Sequence, residues 1–105
     1  MKQIKITLDS LWSQAVKVRD HYKCQYCRLT GTESHHLISR RHKIVRWRLE
    51  NGICLCSSCH RQATEHKVES AIPWEIRQLS RQAAKFSSEQ LNEIKAELRA
   101  VIKEG

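Results

Sequence analysis

Four cysteines in this chain have the type and spacing that bind metal, and three histidines lie close to them in sequence. Cys24-x-x-Cys27 and Cys56-x-x-Cys59 are two pairs separated by 28 residues. A two-residue gap lets both thiolates of a turn face one ion, and two such turns complete a tetrahedral sulphur shell suited to Zn²⁺. A shell closed in this way leaves no position for a substrate, so such an ion holds a fold and does no chemistry. Between and just beyond the pairs lie His35-His36, Asn51 and His60. In an extended strand successive side chains point to opposite faces, so His35 and His36 cannot serve one ion in the same way. They must have different jobs. Cys54 breaks the pairing pattern and reads as a buried apolar thiol. His21, His42 and His66 read as surface histidines, with His42 beside enough positive charge to meet a phosphate.

The 105 residues fit one small domain, 1–105, with a modest core. Formal charge is +8, and its placement is uneven. From Lys17 to Lys67 there are eleven basic and four acidic residues, against eight and seven in the rest, so the charge gathers where every cysteine and histidine lies. That concentration points to a polyanionic partner. Arg40, Arg41, Lys43, Arg46 and Arg48 form the densest part, "RRHKIVRWR", with no acidic residue among them and arginines suited to bidentate phosphate contact. Ile44, Val45 and Trp47 are interleaved as anchors for that loop. No apolar run approaches the roughly 20 residues of a membrane span, and "MKQIKITLDS" has no apolar signal region. A cytoplasmic location is therefore expected, where thiols stay reduced and bind metal.

The elements that must position these residues are an α+β set. "KQIKITL" is a strand or a loose arm, followed by a helix from about 9 to 20 with Leu11, Ala15 and Val18 as its stripe and Trp12 and Val16 beside it. Strands are expected around Glu33–Ile38 and Gly52–Leu55, joined by the basic loop, and then a helix from Ser57 through "SSCHRQATEHKVESA". Pro73 opens a helix over about 73–86, with Ile76, Leu79, Ala83 and Phe86 on one face. Ser87 with Gln90 is a capping box for a last helix over about 88–104, whose seam is Leu91, Ile94, Leu98 and Val101. The last two helices are expected to pair as a hairpin.

"SHHLISRR", "LENGICLC" and "SSCHRQATEH" together resemble the HNH endonucleases, the ββα-metal nucleases with two zinc knuckles found in phage and bacterial genomes. The resemblance spans about residues 19–67. It implies a strand, a loop, a second strand and a helix around one catalytic divalent ion (Mg²⁺, Mn²⁺, Ni²⁺ or Co²⁺), besides the structural zinc. It implies that His35 and His60 are ligands to that ion and that His36 is the general base. Asn51 is implied as the middle residue, bracing loop and base or touching the metal. Thr64 stands where the family has a further helix ligand, so the third ligand is left to Asn51, water or a substrate phosphate; His66 lies too far round a helix to replace it.

By the same resemblance the partner is double-stranded DNA in a bacterial cell, cut to 5′-phosphate and 3′-hydroxyl ends. A phage-encoded role, a phage DNA-processing partner and a homodimer for double-strand cuts are further expectations from it. Homing, restriction, recombination and packaging all remain open as roles, and RNA or branched DNA as substrates. The rival is a non-catalytic zinc ribbon that binds nucleic acid or a protein partner. It explains the cysteines and the charge and gives no reason for His35, His36 and His60.

Overall fold

The computed structural model describes residues 2–63, 72–83 and 85–105, with side chains from residue 7 onward. In chain order the elements are helix α1 (Lys2–Arg19), strand β1 (Glu33–His36), two single-turn 3-10 helices (Lys43–Val45 and Leu49–Asn51), strand β2 (Gly52–Leu55) and helix α2 (Ser57–Arg61). Helices α3 (Trp74–Leu79) and α4 (Ser88–Glu104) complete it. The architecture is the small α+β arrangement expected, with helices flanking a two-stranded sheet, but the last two helices do not pair as the expected hairpin: α4 packs along α1, and α3 against the first 3-10 helix.

The opening segment is helix, not strand or arm, despite its β-branched residues. Helix propensity is a weak preference that tertiary packing overrides. Here the packing partner is α4: Leu8, Trp12, Ala15 and Val16 form one buried cluster with Leu91, Leu98 and Trp47. The buried stripe of α1 is accordingly rotated from the expected one, since Trp12 and Val16 lie at its centre while Leu11 and Val18 are half-buried. Helix α4 keeps its expected bounds and seam. Ser87 accepts from the Gln90 amide while the Gln90 side chain accepts from the Ser87 amide, a complete capping box.

Helix α3 is shorter than expected. It ends at Leu79, and the following amides of Arg81 and Gln82 bond back only three residues, tightening the chain into a turn. Ala83 is thereby exposed rather than on a buried face, and Phe86 reaches Trp47 instead, ring centroids 5.8 Å apart. Helix α2 is described as far as Arg61; Thr64 and His66 lie outside the described residues.

β1 and β2 pair antiparallel with Glu33 opposite Leu55, Ser34 opposite Cys54, His35 opposite Ile53 and His36 opposite Gly52. Directly opposed residues share a face, so the ladder has two distinct sides. Ser34, His36, Gly52 and Cys54 belong to the side covered by α1, where the Ser34 hydroxyl donates to the Ser13 carbonyl at 2.6 Å. Glu33, His35, Ile53 and Leu55 belong to the side covered by α2.

The end of α1 is pinned to β2 through charge. The Arg19 guanidinium donates to the carbonyls of Leu49 and Gly52, both at 2.6 Å, while Asp20 holds its other edge and accepts from the Cys54 amide at 2.9 Å. Nearer the start of α1, Asp9 accepts both arms of Arg46, at 2.9 and 2.6 Å, and the Trp47 indole N–H at 2.9 Å. Partial burial raises the Asp9 pKa, but those hydrogen bonds and the Arg46 charge outweigh it and hold the carboxyl below its ordinary 3.8. Asp9 is therefore ionised at neutral pH, and the stability it contributes is present above its unfolded-state pKa and lost as pH falls through the folded one.

Asp9→Ala at neutral pH should destabilise the protein by about 2 kcal/mol, the scale of hydrogen bonds to a charged group. Arg46→Ala should cost a similar amount, and the double variant distinctly less than the sum, measured by urea unfolding. Additive losses would show that the pair is not coupled.

Candidate functional site

The two cysteine pairs come together as their spacing requires. The sulphurs of Cys24, Cys27, Cys56 and Cys59 all lie within 4.8 Å of one another. Four bonds of the Zn–S length arranged tetrahedrally give sulphur–sulphur edges of about 3.8 Å, and Cys27 and Cys56 are 3.8 Å apart. Each pair is held by its own turn: the Cys27 amide donates to the Cys24 sulphur and the Cys59 amide to the Cys56 sulphur, both at 3.4 Å.

The acidities show what the donor set lacks on its own. Burial would raise the Cys24 thiol, yet the backbone amides of Cys27, Cys56 and Tyr26 bring it down to about 6. Burial and the neighbouring sulphurs push Cys59 up to about 12. One thiolate is favoured and its neighbours are then opposed, so a divalent cation is what allows four negative ligands to share this space. The residues fit a structural zinc. Cys54 stays out of the cluster, fully buried, and its Sγ would lie 2.5 Å from a Cβ on Gly31. Burial raises its thiol pKa, with Asp20 adding to the effect, as suits an apolar cysteine.

The histidines divide between the two sides of the sheet. On the α2 side the rings of His35 and His60 meet edge to face with centroids 5.0 Å apart. His60 Nδ1 lies 2.6 Å from Glu33 Oε1. A carboxylate only accepts, so Nδ1 is the donor, and in the neutral ring this tautomer has its lone pair on Nε2. This is the arrangement by which carboxylates orient metal-binding histidines. Ser57 and His60 together hold the Glu33 carboxyl below its ordinary range. Glu33 was not among the residues expected at the site. Its signal was readable, because a residue two before His35 on an alternating strand shares its face.

On the α1 side, His36 Nε2 lies 2.9 Å from the Arg46 carbonyl. A carbonyl also only accepts, so Nε2 carries the proton and Nδ1 is the basic atom. Burial of the ring pushes the His36 pKa below its ordinary 6.5, while the Arg46 carbonyl draws it the other way and less strongly. The ring is stacked on Trp12, centroids 3.7 Å apart and planes 8° from parallel.

Asn51 is completely buried and occupied by backbone. Its carbonyl accepts from the Ile38 amide at 2.7 Å, and its amide donates to the carbonyls of Ile38 and Val45 at 3.0 and 3.1 Å. Of the two roles expected for it, loop brace or metal contact, this geometry is that of the brace.

Residues 24–66 match the HNH endonuclease family, which spans the knuckles, both strands and the described part of α2. Over this segment the chain is similar to the HNH endonucleases. No curated protein and no solved structure matches the chain. An HNH domain points to a nuclease-type function, and such domains act on DNA. Within this segment the cations of the basic loop differ in what they can do. Arg40, Arg41, Lys43 and Arg48 are exposed, Arg48 with a loose 3.6 Å approach to Glu50. Arg46 departs from the expected phosphate contact, since its guanidinium is turned inward onto Asp9. Val45 and Trp47 are buried and anchor the loop as expected. None of the described helices is long and apolar enough to cross a membrane.

Purified protein should hold one tightly bound zinc. Cys27→Ala should lose it and with it the order of the sheet and α2, since structural zinc contributes on the order of 10 kcal/mol of apparent binding energy. Cys54→Ala should keep one zinc per chain. Elemental analysis with circular dichroism checks both, and equal zinc loss in the two variants would contradict the four-cysteine assignment.

Proposed function

We propose that this protein is a divalent-ion-dependent DNA endonuclease that hydrolyses a phosphodiester with His36 as general base. The observation that carries this reading is the different tethering of the histidines. His36 is held through Nε2 with Nδ1 as its other nitrogen, while His60 is held through Nδ1 with its ring beside that of His35. A nuclease needs both an open metal site and a basic nitrogen left uncoordinated, and neighbouring positions on one strand supply them from opposite sides.

In this reading His35 and His60 bind the catalytic ion and Glu33 keeps the His60 ring in place. That ion, once bound, supplies Lewis-acid stabilisation for the phosphate and the leaving oxygen. His36 Nδ1 accepts the proton of the attacking water, and the new positive charge on its ring is offset by the Arg46 carbonyl. Asn51 does no chemistry and fixes the loop from which that carbonyl projects. Arg40, Arg41, Lys43 and Arg48 track the phosphate backbone, which positions the duplex without specifying its sequence. The zinc-ribbon alternative is disfavoured because it has no use for a Glu33–His60 pair or for a half-buried, tethered His36.

Plasmid DNA incubated with the protein should be nicked or cut only when a divalent ion is added. Imidazole ligands should make Mn²⁺, Co²⁺ or Ni²⁺ at least competitive with Mg²⁺. His36→Ala should lose at least about 100-fold in cleavage rate, the low end for removing a general base, with zinc content and DNA retention unchanged. Normal cutting by His36→Ala would remove the assigned base. DNA binding by the wild type without cutting under any ion would favour the zinc ribbon.

A further inference from the structure

We propose that Trp12, on a helix outside the segment that matches the HNH family, is a positioning residue for His36, and that Gly52 exists to admit it. The proposal rests on the reading of His36 as the base. Trp12 is only 2% exposed and its ring lies flat on the imidazole, 3.7 Å away and 8° from parallel. Its own indole N–H donates to the Arg48 carbonyl at 2.9 Å, which ties the stacking plane to the same loop that presents the Arg46 carbonyl to His36 Nε2. The imidazole is therefore fixed by two constraints of different kinds. The hydrogen bond sets which nitrogen is basic, and the stack sets the plane in which that nitrogen points.

Gly52 makes the second constraint possible. It stands directly opposite His36 in the ladder, where a side chain would share the face of the imidazole. A Cβ there would come within 2.4 Å of Trp12 Cζ2 and 2.8 Å of Val16 Cγ2. The missing side chain leaves a slot that the indole fills. Asp9, one turn before Trp12 on α1, closes the arrangement by holding Arg46 and Trp47. Helix α1 thus does more than flank the nuclease core. It forms one wall of the base's pocket, and misplacing a catalytic group by even an ångström costs on the order of 100-fold in rate.

The full-length, zinc-loaded protein tests this by steady-state cleavage of a short duplex, together with histidine ring signals in NMR spectra. Wild-type His36 ring protons should be shifted upfield by the indole ring current, and Trp12→Leu should return them to ordinary positions. Trp12→Leu should lower kcat roughly 10- to 100-fold with little change in KM, and Trp12→Phe, which keeps an aromatic face, should recover much of it. Gly52→Ala should reproduce the Trp12→Leu loss from the opposite side. Leu8→Ala, buried one turn before Trp12 in the same helix, should destabilise the fold but retain kcat at temperatures where it is folded. A folded, zinc-loaded Trp12→Leu with wild-type kcat would overturn the role, as would a kcat loss in Leu8→Ala equal to that in Trp12→Leu. In either case the wild type still cuts and the functional reading stands, whereas a wild type that cuts nothing would overturn both together.

Discussion

Asn51 has no exposure to solvent, and its side-chain amide meets only backbone: the Ile38 amide and carbonyl at one end of the basic loop, and the Val45 carbonyl near its middle. A buried amide left unmatched costs about 1–3 kcal/mol for each lost partner, so the loop must return along the path that satisfies it. Satisfying it sets the next peptide, whose Arg46 carbonyl accepts a hydrogen bond from His36 Nε2, and sets where Trp47 enters the core. The hold on the His36 ring and the anchoring of the cationic loop both depend on this residue. The short strands could not impose such order by themselves, since a two-stranded ribbon is marginal in water.

The rest of the molecule supports that loop from two sides. On one side the α1–α4 packing provides most of the apolar core and carries Asp9, Trp12, Arg19 and Asp20, all of which bond to or lie against residues between 36 and 54. On the other, the sulphur cluster ties the start of α2 to the turn after α1, so that His60 arrives beside His35 and Glu33. The two candidate metal positions are thus unlike in kind. Four thiolates can close a shell around one ion, whereas the other place brings together the two imidazoles of His35 and His60. A thin sheet between α1 and α2 thus places the neighbouring rings of His35 and His36 on opposite sides, one against His60 and the other against Trp12.

Much of this was legible in the residues because it depends on local periodicity. Cys-x-x-Cys spacing, the alternation of His35 and His36 and the Ser87–Gln90 capping box each involve neighbours a few positions apart, and each is found as read. What was not legible depends on partners distant in sequence. Residues 2–8 have the composition of a strand and become helix because α4 covers Leu8. Arg46 looks like its cationic neighbours until Asp9, 37 positions earlier, claims it. Nothing in the spacing of Trp12 singles it out from ordinary core, because its role comes from a glycine 40 residues away. Helix α3 stops at Leu79, and Phe86 meets Trp47, far from it in sequence, instead of lying on a helical face with Ile76.

The claim most open to direct measurement is that metal and base belong to opposite sides of the sheet. Mn²⁺ or Co²⁺ titrated into zinc-loaded protein by calorimetry, with His60→Ala and His36→Ala in parallel, reads this without requiring catalysis. The account predicts one exchangeable divalent site beyond the zinc, lost in His60→Ala and retained in His36→Ala. No second site in the wild type, or a site that disappears with His36 and survives the loss of His60, would contradict it.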